Sequence, residues 1–252
     1  GNTLRCKLFP SSKFTIHLFP RKGGQCIMEP KIKSRRRNMS FLNNIRRVNK
    51  QIPLSKKVFS SITILLLGIV LGIVSKFLDT TPSNELPFII ESLDFGNFFG
   101  RLAIWILIAV CISIYSNSPI RAAINVFVFF VGMVTSYYLY SKFIAGFFPR
   151  SYAMIWFGIT AISPLPAFGC WYAKGKSKIS LVLSAIIIAV LFNTTFVYGW
   201  IYFDIYSILE AIVFICGLVI LRRNTIKDTI IMIALGIIIA IILNMIVPFH
   251  FG

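Results

Sequence analysis

Four polar residues lie in long apolar stretches of the sequence, where a charge or an amide needs a partner. They are Arg101, Asn193, Glu210 and Asn244. A carboxylate in a membrane helix is unfavourable and usually faces a countercharge or a water-filled cavity. Counted along helices that rise about 1.5 Å per residue, all four fall at a similar depth. We predict one polar layer, with Arg101 as the countercharge of Glu210, that either holds helices together or binds a solute or ion.

Side-chain sets typical of enzymes do not accompany this layer. The sequence has no HExxH, no GxSxG, no Gly-rich phosphate loop, and no pair of acids one turn apart within a predicted span. Its two histidines and five cysteines are spread along the chain without the spacing of metal ligands. We therefore expect no catalytic activity, no metal and no cofactor.

The composition identifies the solvent in which these polar residues must function. Hydrophobic residues make up 57% of the chain and charged residues 13%, whereas soluble domains average about 45–50% and 25%. An ordinary soluble domain is therefore excluded, and the expected partner is a lipid bilayer. The net charge of +18 belongs mainly to the amino-terminal part, because 15 of the 26 Lys and Arg residues precede Val58.

Seven stretches approach the length of about 20 apolar residues that crosses a hydrocarbon core as a helix. They are Val58–Phe77, Phe98–Tyr115, Ala122–Tyr140, Ala153–Tyr172, Ile179–Tyr198, Ile205–Leu221 and Thr229–Val247. The sixth is the shortest. The sequence predicts an all-α membrane helix bundle over residues 58–252, with about seven transmembrane helices.

Basic residues fix the predicted orientation, since loops rich in Lys and Arg stay in the cytoplasm. Alternate connections carry them: Arg121; Lys174, Lys176 and Lys178; Arg222, Arg223 and Lys227. The remaining connections hold most of the acidic residues. We predict that the amino terminus is inside and the carboxyl terminus outside, as in a multi-pass protein of a bacterial cytoplasmic membrane.

Residues 28–57 form a predicted basic tail. Its arginines, which we expect to face anionic lipid head groups, are Arg35, Arg36, Arg37, Arg46 and Arg47. Phe41 is the single aromatic residue among these charges, so we do not expect nucleic-acid binding. A membrane-protein partner docked on the tail is the alternative use of the charge.

Residues 1–27 have the mixed composition of a leader. Back-translation of residues 21–24 permits a purine-rich ribosome-binding sequence shortly before Met28. We predict that translation starts at Met28, with Met39 as a second candidate start. An ordinary disordered tail over residues 1–27 is the alternative.

The fourth predicted helix contains Ser163-Pro164-Leu165-Pro166. Pro164 and Pro166 each remove a backbone donor, so the helix must kink or break there. Interrupted helices mark binding sites in several transporter folds, although a plain kink is more common.

Small residues at a spacing of four predict close helix contacts. The pairs are Gly68 and Gly72, Gly132 and Ser136, Ala185 and Ala189, and Gly236 and Ala240. We expect these contacts within the bundle rather than between copies of the chain.

From about Val58 onward, the basic tail followed by Phe- and Ile-rich helices resembles small multi-pass proteins of unknown role in bacterial inner membranes. The resemblance rests on no specific motif and implies no activity. Two functions stay open. One is a small permease or transport-associated subunit that handles a small solute or ion. The other is a non-transporting membrane sensor, scaffold or assembly partner.

Overall fold

The computed structural model describes residues 42–48, 53–199 and 201–246. The helices of these ranges are α1 Leu54–Thr80, α2 Phe88–Ser92, α3 Phe95–Gly100, α4 Leu102–Tyr115, α5 Pro119–Phe143, α6 Arg150–Ile162, α7 Pro164–Ala173, α8 Lys178–Thr195, α9 Ile208–Leu221 and α10 Ile226–Ile246. Residues 42–45 form one helical turn, and Ser83–Glu85 a 3-10 turn. The expectations about residues 1–27, about the start at Met28 or Met39 and about the carboxyl end lie outside the described residues.

Two short strands interrupt the helical pattern, and they correct the prediction of a purely α fold. Strand β1 spans Phe196–Tyr198 and pairs antiparallel with β2, Phe203–Ile205. The predicted fifth helix included β1, and the predicted sixth helix began at Ile205. Both boundaries were wrong because aromatic and β-branched residues suit a pleated strand as well as an apolar helix, so hydropathy alone does not separate the two.

Four helices in the described ranges are long and apolar enough to cross a membrane, namely α1, α5, α8 and α10. Helices α6 and α7 make a fifth such element if the bent pair is one span. Helices α4 and α9 are apolar but have 14 residues each. At about 1.5 Å per residue they extend about 21 Å, less than the roughly 30 Å of a hydrocarbon core. The architecture is a polytopic, mainly helical bundle of membrane type.

Helices α1 and α5 pack so closely that their contacting glycines leave no room for a Cβ. A Cβ added at Gly68 would lie 2.3 Å from the Phe129 carbonyl oxygen, and one at Gly132 would lie 2.7 Å from that of Leu65. Ser136 Oγ donates to the Ile69 carbonyl at 3.0 Å. The predicted contact through small residues is confirmed here.

Helices α8 and α10 meet through the second predicted set of small residues. Ala185, Ala189 and Ala240 are fully buried. A Cβ at Gly236 would stand 3.1 Å from the Ala185 carbonyl oxygen, so this contact also requires small side chains. The predicted packing within the bundle is confirmed for this pair as well.

Polar contacts divide the bundle into two ends. At the first, which we call the basic end, Arg121 Nη2 donates to the Lys57 carbonyl at 2.7 Å, and Arg223 Nη1 donates to the Ala173 carbonyl at 3.0 Å. The other, which we call the opposite end, contains an ion pair between Arg101 and Glu210. Helices α1, α5, α8 and α10 all begin at the basic end and run toward the opposite end, whereas α4, the pair α6 and α7, and α9 run back.

Candidate functional site

The charged pair at the opposite end joins the starts of the two short helices. Arg101 immediately precedes α4, and Glu210 lies in the first turn of α9. Arg101 Nη1 lies 3.0 Å from Glu210 Oε1, and the Glu210 side chain is fully buried while that of Arg101 is 23% exposed. The structure therefore brings together the two residues that the sequence pairs.

The local sequence explains why the Glu210 carboxylate points back toward its own helix terminus. Ser207 caps α9 by accepting a bond from the Leu209 amide at 3.2 Å, and its hydroxyl donates to Glu210 Oε2. Ser207 and Glu210 have the spacing of a capping box, in which the cap and the third helical residue interact. Sequence reasoning missed Ser207, although the Ser-x-x-Glu spacing was a usable signal.

Backbone hydrogen bonds and one aromatic ring surround this pair. Thr195 Oγ1 donates to the Glu210 carbonyl at 3.2 Å, and the Tyr206 amide donates to the Thr195 carbonyl at 3.1 Å. The Arg101 guanidinium lies 5.2 Å from the centre of the Tyr206 ring. Each oxygen of the Glu210 carboxylate therefore already accepts a hydrogen bond from a side chain of the protein.

The two predicted asparagines do not join the charged pair in one hydrogen-bonded layer. Asn193 is buried, and its Nδ2 donates to the Ala240 carbonyl at 3.0 Å. Tyr198 Oη donates to Asn193 Oδ1 at 2.7 Å, and burial raises the pKa of this tyrosine. Asn244 is half-buried and, within the described residues, its side chain makes no hydrogen bond. The expected polar layer is therefore a set of separate contacts. Asn193 bonds the backbone of α10, and Arg101 and Glu210 bond each other.

The predicted kink at the prolines of the fourth span is present. Helices α6 and α7 meet at an angle of 48°, with Pro164 opening α7 and Pro166 two residues later. The Ser163 hydroxyl donates to the Thr160 carbonyl at 2.8 Å, and the Ser163 amide donates to that of Ile159 at 2.9 Å. The Thr160 carbonyl, which Pro164 leaves without its amide donor, is thus bonded within the chain, and the geometry is that of a kink.

Of the tail arginines, Arg46 differs from the expectation that it faces lipid. Its Nη1 donates to the Trp171 carbonyl at 2.5 Å, and its Nη2 donates to the Ile114 carbonyl at 3.0 Å. The guanidinium also lies 4.3 Å from the centre of the Trp171 ring, and burial lowers its pKa. The last carbonyls of α4 and α7 lack helical partners and attract this cation. Arg47 is exposed, whereas Arg35, Arg36 and Arg37 lie outside the described residues.

The basic end also contains an open pocket that the sequence did not reveal. It lies between α1, α4 and α5 and has a volume of about 290 Å³. Its lining comprises Lys56, Lys57, Ser60, Ile64, Ile112, Tyr115, Ser116, Asn117, Arg121 and Asn125. In the sequence, Lys56, Lys57 and Arg121 are orientation signals, and only the α1–α5 contact brings them together. This pocket, called the basic pocket below, is the principal candidate ligand site.

A buried polar floor supports the basic pocket. Arg121 Nη2 contacts Ser61 Oγ at 2.7 Å and Asn125 Oδ1 at 3.1 Å. Asn125 Nδ2 donates to Ser116 Oγ at 3.2 Å, and both of these residues are buried. The floor holds Arg121 in a fixed position at the base of the pocket.

Charge crowding extends beyond the pocket across the basic end. Burial lowers the pKa of Lys174, and the nearby positive charges of Arg223 and Arg46 lower it further. Among the acidic residues of the described ranges, only Asp228 lies at this end. Among the contacts of the described residues, the cations at the basic end therefore meet mainly backbone carbonyls.

A second polar contact at the opposite end was also missed. Lys76 is buried and lies 2.5 Å from Asp79 Oδ2, and Tyr137 Oη donates to the same oxygen at 3.0 Å. A smaller cavity of about 50 Å³ nearby is lined mainly by aromatic residues and includes Tyr137. In the described part of the chain, no group of three or more His, Cys, Asp or Glu side chains could hold a metal ion.

Comparison with known proteins places the chain in a family. Neither the curated proteins nor the solved structures gave a match. The family match begins just before α1 and extends past the last described residue of α10, so it includes both the basic pocket and the Arg101–Glu210 pair. The chain belongs to the family of unknown function DUF6518, whose family model matches residues 52–250.

Proposed function

We propose that the protein crosses a bacterial cytoplasmic membrane seven times, with its basic tail in the cytoplasm and its carboxyl end outside. The seven crossings are α1, α4, α5, the bent pair α6 and α7, α8, α9 and α10. The short α4 follows α3, and the short α9 follows the β hairpin. These neighbours extend the two short helices toward the membrane surface, and the charge difference between the two ends supports the orientation.

Cysteine labelling in intact cells tests this orientation. In a version without the native cysteines, a cysteine replacing exposed Glu85 should react with a membrane-impermeant maleimide, and one replacing exposed Lys176 should react only after permeabilisation. Labelling of both positions in intact cells, or the reverse pattern, would refute the proposed topology.

We infer further that the protein is a small permease or transport-associated subunit that receives a small solute from the cytoplasmic side. The observation that carries this proposal is the basic pocket, an open cavity of about 290 Å³ with a buried polar floor. Ligand sites are typically concave, with a few fixed polar groups among apolar walls. The wall residues Ile64 and Ile112 and the floor residue Asn125 fit this description.

The Arg101–Glu210 pair is a weaker candidate for the solute site. Its carboxylate is fully buried and paired with Arg101 and Ser207. Replacing these partners by a solute would require breaking contacts that already compensate a desolvated charge. We assign the pair to holding α4 and α9 in place and move the solute site to the basic pocket.

A non-transporting sensor or scaffold is the second candidate, favoured by the docking of residues 42–48. Ile45 is buried, and its carbonyl oxygen would lie 2.2 Å from a Cβ added at Gly175. Arg46 joins the same segment to α4 and α7. A partner that binds the tail would therefore act directly on the bundle through this segment.

Native mass spectrometry of the whole protein in mild detergent separates the two functions. A bound small molecule that is lost on Lys57→Gln and retained on Lys176→Gln would support solute handling at the basic pocket. A stoichiometric protein partner, lost on Arg46→Ala and found without any small molecule, would refute it in favour of the sensor or scaffold.

A further inference from the structure

The lining of the basic pocket contains three cations and no carboxylate. Lys56 and Lys57 come from the first turn of α1, and Arg121 comes from the first turn of α5. Like charges that converge in a cleft repel one another and raise the local concentration of anions. Within the described residues, salt bridges join Lys76 to Asp79 and Arg101 to Glu210, both at the opposite end. The pocket therefore carries a positive charge that a bound anion would compensate.

Contacts within the protein hold Arg121 in position to donate hydrogen bonds to an anion. Its described side-chain hydrogen bonds all use Nη2, which donates to the Lys57 carbonyl, Ser61 Oγ and Asn125 Oδ1. Within the described ranges, Nη1 and Nε are left for a ligand. A guanidinium fixed in this way can donate single N–H groups from Nη1 or Nε to phosphate oxygens, and little side-chain freedom remains to be lost on binding.

We propose that the basic pocket binds a phosphate group, with Arg121 as the oriented donor and with Lys56 and Lys57 as flexible countercharges. This inference rests on the proposed ligand site and names its chemical class. A phosphate monoester carries a charge of about −1.5 to −2 at neutral pH and three acceptor oxygens. A carboxylate carries one charge and would leave more of the pocket's positive charge uncompensated.

The walls of the pocket fit either of two sources of this group. Ile64 and Ile112 make one wall apolar, Tyr115 is exposed, and few residues of the neighbouring α1 are buried. A phospholipid could place its head group on the cations and its acyl chains along α1. A small soluble phosphate compound could use the same cations and enter from the open side.

The test compares two double variants of the whole protein that remove the same charge from the same end. Lys56→Gln/Lys57→Gln changes the pocket, and Lys176→Gln/Lys178→Gln changes two exposed lysines outside it. Binding of radiolabelled inorganic phosphate is measured by equilibrium dialysis in detergent. Native mass spectrometry measures retention of phosphatidylglycerol against phosphatidylcholine.

We expect the pocket variant to weaken binding in at least one arm by about tenfold or more, which corresponds to about 1.4 kcal/mol. The control variant should change binding by less than about twofold, since long-range charge effects are screened by salt. The charge-retaining Lys56→Arg/Lys57→Arg variant should keep binding. A response only to phosphatidylglycerol identifies a lipid head group, and a response to free phosphate identifies a soluble compound.

Three results would overturn the phosphate assignment. One is absence of binding in both arms by folded protein. Another is equal loss in the pocket and control variants, which would show a non-specific charge effect. The third is binding of acetate as tight as that of phosphate and still dependent on Lys56 and Lys57, which would reject phosphate while leaving the proposed ligand site in place.

Discussion

The two charged regions of this bundle handle the same physical problem in opposite ways. At the opposite end, one carboxylate is fully buried and meets one arginine at 3.0 Å. At the basic end, three cations line an open pocket of about 290 Å³ that contains no acid. A buried charge is tolerated only when paired and hydrogen-bonded, whereas charges at an open surface can remain for a ligand.

The difference shows why charge inside an apolar sequence is not by itself a sign of a binding site. Glu210 stands out in the sequence because its neighbours are apolar, but the structure satisfies both of its oxygens. Lys56 and Lys57 resemble ordinary orientation signals, yet the fold leaves their side chains beside Arg121 without a carboxylate. A ligand site is identified by unmatched charge and accessible space together.

Removing one member of the buried pair should have the largest effect. We expect Glu210→Gln or Arg101→Gln to destabilise the detergent-solubilised protein by about 3–5 kcal/mol, because the remaining partner loses its countercharge. The double variant should lose less than the sum of the two single losses. Thermal unfolding checks this, with exposed Glu85→Gln as the control. Strictly additive losses would contradict the pairing.

Arg46 is a cation at the basic end that is held by two backbone carbonyls, whereas Arg101 is held by a carboxylate. Arg46→Ala should destabilise the protein by about 1.5–3 kcal/mol, because two carbonyls lose a charged donor. It should also speed tryptic cleavage within residues 42–48. The neighbouring, exposed Arg47→Ala is the control. If Arg46→Ala and Arg47→Ala behave alike, the docking of this segment is refuted.

The wall of the basic pocket depends on the close contact of α1 and α5. A Cβ at Gly72 would lie 2.2 Å from the Met133 carbonyl oxygen, so Gly72→Ala should destabilise by about 1–3 kcal/mol through overpacking. Gly158 in α6 has no heavy atom within 4 Å of an added Cβ. Gly158→Ala should therefore be neutral or slightly stabilising, as is usual in a helix. Equal melting shifts for the two variants would contradict the contact.

The smallest effect on stability should come from the residues to which we assign binding. Lys56→Gln/Lys57→Gln should change the free energy of unfolding by no more than about 0.5 kcal/mol in phosphate-free buffer, because surface substitutions have effects of this size. Thermal unfolding of the double variant beside wild type measures this. A loss as large as that of Glu210→Gln would assign these lysines a structural role.

Several features of the fold could be predicted from the sequence because they depend on local composition. Apolar length predicted helices at all seven stretches, proline predicted the 48° bend at Ser163, and glycine spacing predicted the contact of α1 with α5. The pairing of Arg101 with Glu210 could be predicted because an apolar region contains few charges, which limits the choice of partner. The exact ends of the helices could not be predicted, and the β hairpin was missed because β1 is as hydrophobic as the helix before it.

Features that depend on contacts between distant segments could not be predicted. The Lys57 carbonyl and Arg121 are 64 positions apart, and nothing in either local sequence indicates that they share a pocket. Arg46 and Arg47 lie in the same basic stretch of sequence, yet only Arg46 donates to backbone carbonyls at the carboxyl ends of α4 and α7. Asn193 and Asn244 share a predicted depth, but the Asn193 amide reaches the Ala240 carbonyl instead.

The most direct measurement compares phosphate-group binding by folded wild-type protein, by Lys56→Gln/Lys57→Gln and by Arg101→Gln/Glu210→Gln. In our proposal the charged pair is structural and the basic pocket binds the ligand, so we expect the lysine variant to lose binding and the pair variant to keep it. Loss of binding in the pair variant together with full binding in the lysine variant would contradict this division and place the ligand site at Glu210.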